Sequence, residues 1–475
     1  MYQKAVCDVP PKFDFSSPAL FTDALLQYAD CDLYRDGDTW THRDQPYERE
    51  LRPQDFKHFN FEHPIGQSAF FNYQSMAAHR LLLTIYESDF LLLPRSGMHD
   101  QYARFLNFYS PDRHALGQLI RPRLERYLFT FLDEEIDVAG DWTEQQLQQY
   151  FSRYMEECAR AGALPAIDVI RSSANPENAL LTLCIQLAGD FLVESSAMSR
   201  NAGGRYGQEQ SELFKILIDE YGYGVHARKH STLFENLLTS LGLTRDLHDY
   251  WQFYLTSSLA LNNYSNYLCA NHALYFRYIG STFQTETMFI QYCRQMADLL
   301  RELHPSVDRS YFLEHAHIDQ QHSLMAYEKL VKPTVARHGR KVIPEIIRGF
   351  EAARLLGRYA DSDFAQQVQW MDDGERYKAL HAHIYGNLVS AGFPAARRSY
   401  TEPIHDLSVT HVHDADELVH VDRGELHLFN GKGSHVALHE GEGMVIRKHR
   451  LHGAWVASPE CVYTVHTLGD HTEWL

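Results

Sequence analysis

Hydrophobic positions recur at helical spacing along most of the chain, and this pattern changes near residue 386. Before about residue 140, apolar runs at 81–83, 90–93 and 124–131 predict helices. Residues 141–335 resemble a series of amphipathic helices, and a further helical segment covers about 336–385. Short alternating segments with glycine turns such as Asn430-Gly431-Lys432-Gly433 follow from residue 386 to 475. The pattern therefore predicts a multidomain α + β protein in which helical regions (1–140, 141–335 and a connector at 336–385) precede a small β-barrel (386–475).

Composition narrows the classes of protein to consider. The 475 residues are 44% apolar and 22% charged, which is ordinary for a globular protein. A formal net charge of -18 argues against a partner with a phosphate backbone, and no apolar run is long enough to span a bilayer. The first residues lack the apolar core of a secretory signal. We therefore expect a cytoplasmic protein that binds neither nucleic acid nor membranes.

The cysteines agree with that compartment, because they form no pair with metal or redox spacing. They are scattered along the whole chain: Cys7, Cys31, Cys158, Cys184, Cys269, Cys293 and Cys461.

Three potential metal ligands share one stripe of a predicted helix. His315, Asp319 and His322 stand at i, i+4 and i+7, within roughly 60° of one another around the helix axis. A buried face carries such polar groups only when something compensates them. The mixed imidazole and carboxylate set suits iron or manganese better than a thiolate-preferring metal. His317 points about 200° away from His315, so we expect it at the surface or behind the ligands.

Three glutamates on other predicted helices could complete a site of this kind. Glu194, Glu220 and Glu286 each occur among apolar residues, where a carboxylate is costly without a cation or a strong partner. A single glutamate on such a stripe is more often a boundary residue. Three of them beside a histidine–aspartate helix are less easily explained in that way.

The segment at 219–230 adds another imidazole, His230. Its glycines should interrupt the helix, so Glu220 and His230 need not follow ideal helical phase. Asp219 and His226 are the rival ligands in this segment. Seven mixed oxygen and nitrogen ligands exceed what one ion needs and fit two adjacent ions. The predicted set is Glu194, Glu220, His230, Glu286, His315, Asp319 and His322.

The C-terminal region carries a second group of histidines. His411 and His413 stand at i and i+2 of a predicted strand and should project to the same face. Together with Glu417 and the later His452, they resemble the two cupin motifs, with His452 at the last histidine position. The Pro-x-Gly that usually precedes this histidine is missing, which leaves His449 as a rival. The resemblance implies an open three-histidine iron site, with Glu417 either a fourth ligand or a group behind the histidines.

The helical ligand set resembles the haem-oxygenase-like di-iron oxidases. The resemblance rests on Glu194, Glu220-x9-His230 with the following Leu233-Phe234, Glu286, and His315-x3-Asp319-x2-His322. It implies a helical bundle that holds two Fe(II) ions, uses O₂ as co-substrate and receives electrons from an external reductant or electron donor.

The order of domains resembles fused di-iron and cupin N-oxygenases. This resemblance implies that the di-iron site hydroxylates guanidine nitrogens of an arginine derivative, with Nω-methyl-L-arginine as the expected amino-acid substrate. A mononuclear cupin iron would then rearrange the product to an N-nitrosourea, and the N-terminal region would support a homodimer. The enzyme class implied is a non-haem iron oxygenase of natural-product biosynthesis.

Two other functions stay open at this point. The first is a di-iron amine or amino-acid N-oxygenase, or a C–C cleaving oxidase, with a cupin that is metal-free and serves folding or dimerisation. The second is a non-enzymatic sensor whose cupin binds a ligand. The sensor is disfavoured because no basic DNA-reading segment is evident and because a sensor has no use for the helical ligand set.

Overall fold

The computed structural model describes residues 18–30, 51–92, 102–391 and 396–469. Cys7 and Cys31 lie outside these ranges. Within them, the region predicted as N-terminal helices contains α1 (Pro18–Ala29), α2 (Pro53–Phe56), α3 (Tyr73–Glu87), α4 (Tyr102–Phe108), α5 (Pro111–Phe129) and α6 (Phe131–Glu135). Helix α3 is buried along most of its length, including the leucines at 81–83. The helix expected at 90–93 is wrong as far as it is described, because α3 ends at Glu87 and Leu91 is 84% exposed.

The central helices form the bundle that surrounds the predicted iron ligands. They are α7 (Glu144–Arg160), α8 (Pro165–Ser172), α9 (Pro176–Phe191), α10 (Ser199–Ala202), α11 (Gln208–Glu220), α12 (His230–Ser240), α13 (Thr256–Ala270), α14 (Tyr275–Leu303), α15 (Ser310–Met325) and α16 (Lys332–His338). A π-helical turn, Ala326–Val331, joins α15 to α16. No helix in the described ranges is both long enough and apolar enough to cross a membrane.

Two long helices meet with their backbones in direct contact. Helix α17 (Ile343–Asp372), which precedes α18 (Gly374–Ala391), packs along α14. A Cβ on Gly280 would overlap the carbonyl of Ile346, and a Cβ on Gly349 would overlap the carbonyl of Arg277. Only glycine permits this approach at both positions. The segment predicted as a helical connector is therefore helical, and α17 packs directly against the bundle.

The described part of the C-terminal region, residues 396–469, folds into eight antiparallel strands. They are β1 (Ala396–Pro403), β2 (Leu407–His411), β3 (Asp416–Arg423), β4 (Glu425–Gly431), β5 (Ser434–His439), β6 (Gly443–Ile446), β7 (His452–Val456) and β8 (Glu460–Gly469). Two four-stranded sheets result, in the orders β1-β8-β3-β6 and β2-β7-β4-β5. They share one buried apolar core but do not close into a hydrogen-bonded barrel in the described residues. The predicted glycine turns are present, with positive φ at Gly424, Gly433 and Gly441.

The helices hold this β domain at the strands that carry its histidines. Arg80 of α3 donates to the carbonyl and the hydroxyl of Thr410, at 2.7 and 2.9 Å. Gln367 of α17 donates to the Leu451 carbonyl at 2.9 Å and accepts from the Leu451 amide at 2.9 Å. Thr410 precedes His411 in the sequence, and Leu451 precedes His452. Both histidines are therefore anchored to the helical bundle by the residue before them.

Candidate metal centres

The seven residues predicted as ligands in the helical region converge inside the bundle. His315, Asp319 and His322 form one stripe of α15 and are 2%, 1% and 0% exposed. His317 is exposed, in agreement with the expectation that it lies away from the ligands. Glu286 projects toward His322 from α14, and its Oε2 lies 3.3 Å from the His322 Nδ1.

Glu194 reaches the same place from a turn, so its prediction as a residue on a helical stripe is wrong. Helix α9 ends at Phe191, and Ser195 has a φ of +60°, which an α-helix does not allow. The side-chain amide of Asn262 donates to the Gly189 carbonyl at 2.6 Å, where a continuing helix would have supplied a backbone amide. The turn brings Glu194 Oε1 within 3.2 Å of His315 Nε2.

The glycines after Glu220 interrupt the helix, as predicted. Helix α11 ends at Glu220, and Gly222 and Gly224 have φ values of +60° and +78°. A Cβ on Gly222 would collide with the backbone at Arg228, so this reversal needs glycine. The chain folds back and α12 begins at His230, whose Nδ1 lies 2.8 Å from Glu220 Oε2.

Glu220 is shared by two groups of ligand atoms. Its Oε2 faces His230 at 2.8 Å and His315 at 3.7 Å, whereas its Oε1 faces His322 Nδ1 at 3.5 Å. One group contains Glu194, Glu220, His230 and His315, and the other contains Glu220, Asp319 and His322. All ligand atoms within a group lie within 4.8 Å of one another. A carboxylate with one oxygen toward each group has the arrangement of a ligand that bridges two ions.

Unpartnered polar atoms inside these groups fit bound cations. The buried side-chain atoms without a hydrogen-bond partner in the described residues include both carboxylate oxygens of Asp319, the Oε2 of Glu194 and the Nδ1 of His322. Buried polar atoms are nearly always satisfied in folded proteins, because an unpaired one is costly. Four carboxylates and three imidazoles are donors suited to divalent iron or manganese.

The charges within the groups agree with that fit. Burial lowers the pKa of His322, but Glu286 and Asp319 outweigh this effect and raise it to about 11. Burial raises the pKa of Asp319 to about 7, and the negative charge of Glu286 adds to this rise. Burial also opposes ionisation of Glu220, yet the adjacent His230 holds its pKa well below the usual range. The carboxylates therefore lie next to protonated, positively charged imidazoles. Metal binding would release these imidazole protons.

Other residues form hydrogen bonds that orient the candidate ligands but lie outside the two groups of ligand atoms. Asp219, a rival of Glu220, accepts a hydrogen bond from Nε2 of His322 at 3.1 Å, which leaves Nδ1 directed at the ligand group. The Nδ1 of His315 likewise donates to the Tyr311 carbonyl at 3.0 Å, and the Tyr311 hydroxyl donates to Glu194 at 2.8 Å. The position of Asp219 next to Glu220 was the one sequence signal for these contacts. His226, the rival of His230, is exposed and outside both groups.

The three predicted histidines of the β domain form a separate group. His411 and His452 are direct cross-strand partners on β2 and β7. His413 lies beyond the end of β2, so its placement on the same strand as His411 is wrong. The Nε2 atoms of His411 and His413 are nevertheless 3.1 Å apart.

These imidazoles are arranged as neutral ligands. The Nδ1 atoms of His411 and His452 donate to the carbonyls of Val409 and Arg450, at 2.7 and 2.9 Å, which leaves each Nε2 free for a metal. Burial lowers the pKa of His413 to about 3 and that of His452 to about 4.

Glu417 lies beside this group without belonging to it. Its Oε2 is 3.0 Å from the Nε2 of His413, and burial raises its pKa to about 7. A fourth-ligand role for Glu417 stays a prediction.

The turn before His452 is built without the usual Pro-x-Gly. The Asp416 carboxylate accepts the Lys448 amide at 2.7 Å and lies 3.3 Å from the Arg447 guanidinium. His449 takes a φ of +63°, and its backbone amide donates to the carbonyl of His413 at 2.8 Å. Its side chain is outside the histidine group, which brings together His452 and not this rival.

Comparison with known proteins agrees with an iron enzyme. A family model described as an iron-containing redox enzyme matches residues 185–358, a range that includes all seven helical ligand candidates. A nitrosourea synthase from Streptomyces achromogenes subsp. streptozoticus is 46% identical over 469 residues, which cover 98% of this chain and 99% of that protein. The chain belongs to the nitrosourea synthase family.

Membership of this family confirms several predictions. The protein is a non-haem iron oxidase with a haem-oxygenase-like helical domain. Its similarity to a nitrosourea synthase indicates an enzyme of natural-product biosynthesis. The sensor hypothesis is thereby wrong. The domain boundaries and the individual ligand assignments stay predictions, although the structure brings together the residues on which they rest.

Proposed function

We propose that this enzyme oxygenates guanidine nitrogens of an arginine derivative at the helical centre and rearranges the product to an N-nitrosourea in the β domain. Nω-methyl-L-arginine is the proposed substrate, with O₂ as co-substrate and an external electron donor. The observation that carries the proposal is the presence of two separate ligand groups of different chemistry in a chain related throughout its length to a nitrosourea synthase.

The helical centre is suited to two Fe(II) ions. Glu194, His230 and His315 would hold one ion, Asp319 and His322 with Glu286 the other, and Glu220 would bridge them. Iron bound there would supply the activation of O₂. The side chains contribute a buried set of negative charges held in place by several helices of the bundle.

A pocket opens onto this centre. Its described lining includes no lysine or arginine but six carboxylates: Glu87, Asp190, Glu194, Glu220, Glu286 and Asp319. The bound ions would balance the charge of the four carboxylates of the centre, and the remaining two, with no lysine or arginine in the described lining, favour a cation over an anion. This sign of charge supports a guanidinium group as the part of the substrate that enters.

The β domain offers a site of a different kind. His411, His413 and His452 supply three neutral nitrogens and would hold a single Fe(II) with coordination positions left for other ligands. An open mononuclear site suits a rearrangement that joins substrate and O₂ at one place. The proposed order is therefore N-hydroxylation in the bundle, followed by N–N bond formation in the β domain. A homodimer through the N-terminal helices is proposed as well.

The test is anaerobic loading with Fe(II), followed by a reductant, O₂ and Nω-methyl-L-arginine, with products identified by mass spectrometry. The wild type should form a nitrosourea, His411→Ala should accumulate hydroxylated substrate, and Glu220→Ala should form neither. If the enzyme turns over no arginine derivative, the proposed substrate is contradicted. An unchanged final product from His411→Ala would show that the β domain is structural, as in the alternative of a di-iron oxidase with a metal-free cupin.

A further inference from the structure

One carboxylate in the pocket has no role in the arrangement described above. Asp190 lies near the end of α9, four residues before Glu194 in the sequence, and its side chain is open to the pocket. No described residue forms a hydrogen bond or an ion pair with this side chain. It is also outside both groups of metal-ligand atoms. Asp190 is therefore an acceptor directed at the space that a substrate would occupy.

The other pocket carboxylates are already engaged. Glu194, Glu220, Glu286 and Asp319 are part of the candidate iron centre. Glu87 lies 3.7 Å from the Nε2 of His248 and is 5% exposed. Asp190 is the remaining carboxylate of the described lining.

The surroundings of Asp190 favour a positively charged ligand. Although the side chain of Asp190 borders the pocket, desolvation by the surrounding protein raises its pKa to about 7, and the negative charges of Glu194 and Glu220 add to this rise. The described lining contains no lysine or arginine that could pair with Asp190. A cation placed between Asp190 and the candidate iron centre would stabilise the ionised carboxylate, and it would gain charge-assisted hydrogen bonds in a setting of low dielectric constant.

We propose that Asp190 binds the substrate guanidinium through paired N–H···O hydrogen bonds and so directs its nitrogens toward the helical centre. This inference rests on the proposed function. The planar fork of a guanidinium matches a carboxylate in two parallel hydrogen bonds, which fix orientation as well as position. Because Asp190 and Glu194 line the same pocket and are close enough for their charges to interact, a guanidinium held by Asp190 lies near the first carboxylate of the ligand set. Asp190 is thus a substrate-binding residue that distinguishes a cationic guanidine from a neutral urea.

The experiment compares binding of a charged and a neutral ligand at the helical centre. Anaerobic Fe(II)-loaded enzyme is titrated with Nω-methyl-L-arginine or with L-citrulline, whose urea group is neutral, and the ligand-field bands of the helical iron are followed. Asp190→Asn keeps the shape of the side chain and removes its charge. We expect affinity for Nω-methyl-L-arginine to fall roughly 10- to 100-fold and affinity for L-citrulline to stay within about twofold. Asp190→Glu should recover part of the loss.

Two controls separate this role from a structural one. Iron content should be unchanged in Asp190→Asn, since the residue is not a ligand. Asp168→Asn, an exposed position on α8, should bind both compounds like the wild type.

Three results would overturn the inference. They are equal affinity of wild type and Asp190→Asn for Nω-methyl-L-arginine, a parallel loss for both compounds, and loss of iron. If the wild type itself fails to bind or oxidise any guanidine, the proposed function fails as well. If the wild type does both and Asp190→Asn is unaffected, the failure concerns Asp190 alone.

Discussion

Replacement of the shared carboxylate by its amide, Glu220→Gln, tests the architecture of the helical centre most directly. The two oxygens of Glu220 face different ligand groups, with contacts of 2.8 Å to His230 and 3.5 Å to His322. The amide keeps the volume of the side chain but removes a negative ligand from both groups at once. Even groups that only orient a metal ligand contribute about 10- to 100-fold in affinity, so this range is a lower bound for each ion. For the pair, the loss is at least about 100- to 10,000-fold, or about 2.8–5.5 kcal/mol.

The assay is an anaerobic Fe(II) titration with iron counted by Mössbauer spectroscopy and elemental analysis. We expect the wild type to bind three irons, and Glu220→Gln to keep one at a concentration that just saturates the wild type. Glu314→Gln, an exposed position on the outer face of α15, should bind three. Retention of two helical irons at wild-type affinity would refute the bridging arrangement. Loss of all three irons would refute the independence of the β-domain site.

Three further predictions concern other parts of the molecule. His411→Ala should lower iron content by one equivalent and leave the spectrum of the helical irons unchanged; a change in that spectrum would argue against separate sites. Asp219→Asn weakens the hydrogen bond that orients His322, so one helical iron should bind about 10- to 100-fold more weakly in Fe(II) titrations, and equal affinities would contradict this role. Gly280→Ala should lower the free energy of unfolding by about 1–3 kcal/mol in urea denaturation, because its Cβ meets the α17 backbone. Gly357→Ala, in an open part of α17, is the control and should cause no loss. If Gly280→Ala is as stable as Gly357→Ala, the close contact between the two helices is contradicted.

The sequence was sufficient where a site depends on local geometry. The stripe of His315, Asp319 and His322 follows from helical periodicity alone, and the structure places all three on one buried face of α15. The break after Glu220 follows from the glycines at 222 and 224. In both places, the conformation is determined by residues within a few positions of the ligand.

The sequence was insufficient where a distant contact determines the conformation. Glu194 lies in a turn where the Asn262 amide donates to the carbonyl of Gly189, 73 positions before it in the sequence, and no period in the local sequence shows this contact. The placement of His413 after the end of β2 depends in a similar way on long-range packing of the sheet. The sharing of Glu220 between two ligand groups also requires the relative positions of α11, α12 and α15, which periodicity cannot provide.

The two candidate centres belong to one folded unit, and this determines how their functions can be separated. Apolar side chains of the β domain, Val412, Phe429 and Leu451, pack in the same core cluster as the helices. Arg80 and Gln367 are buried with hydrogen-bond partners in the β domain. Deleting that domain would leave both side chains without these partners and would expose part of the core, so a fragment ending near residue 391 should be destabilised. Point variants of metal ligands are therefore the informative way to assign each reaction step, because loss of activity in a fragment would report unfolding and not chemistry.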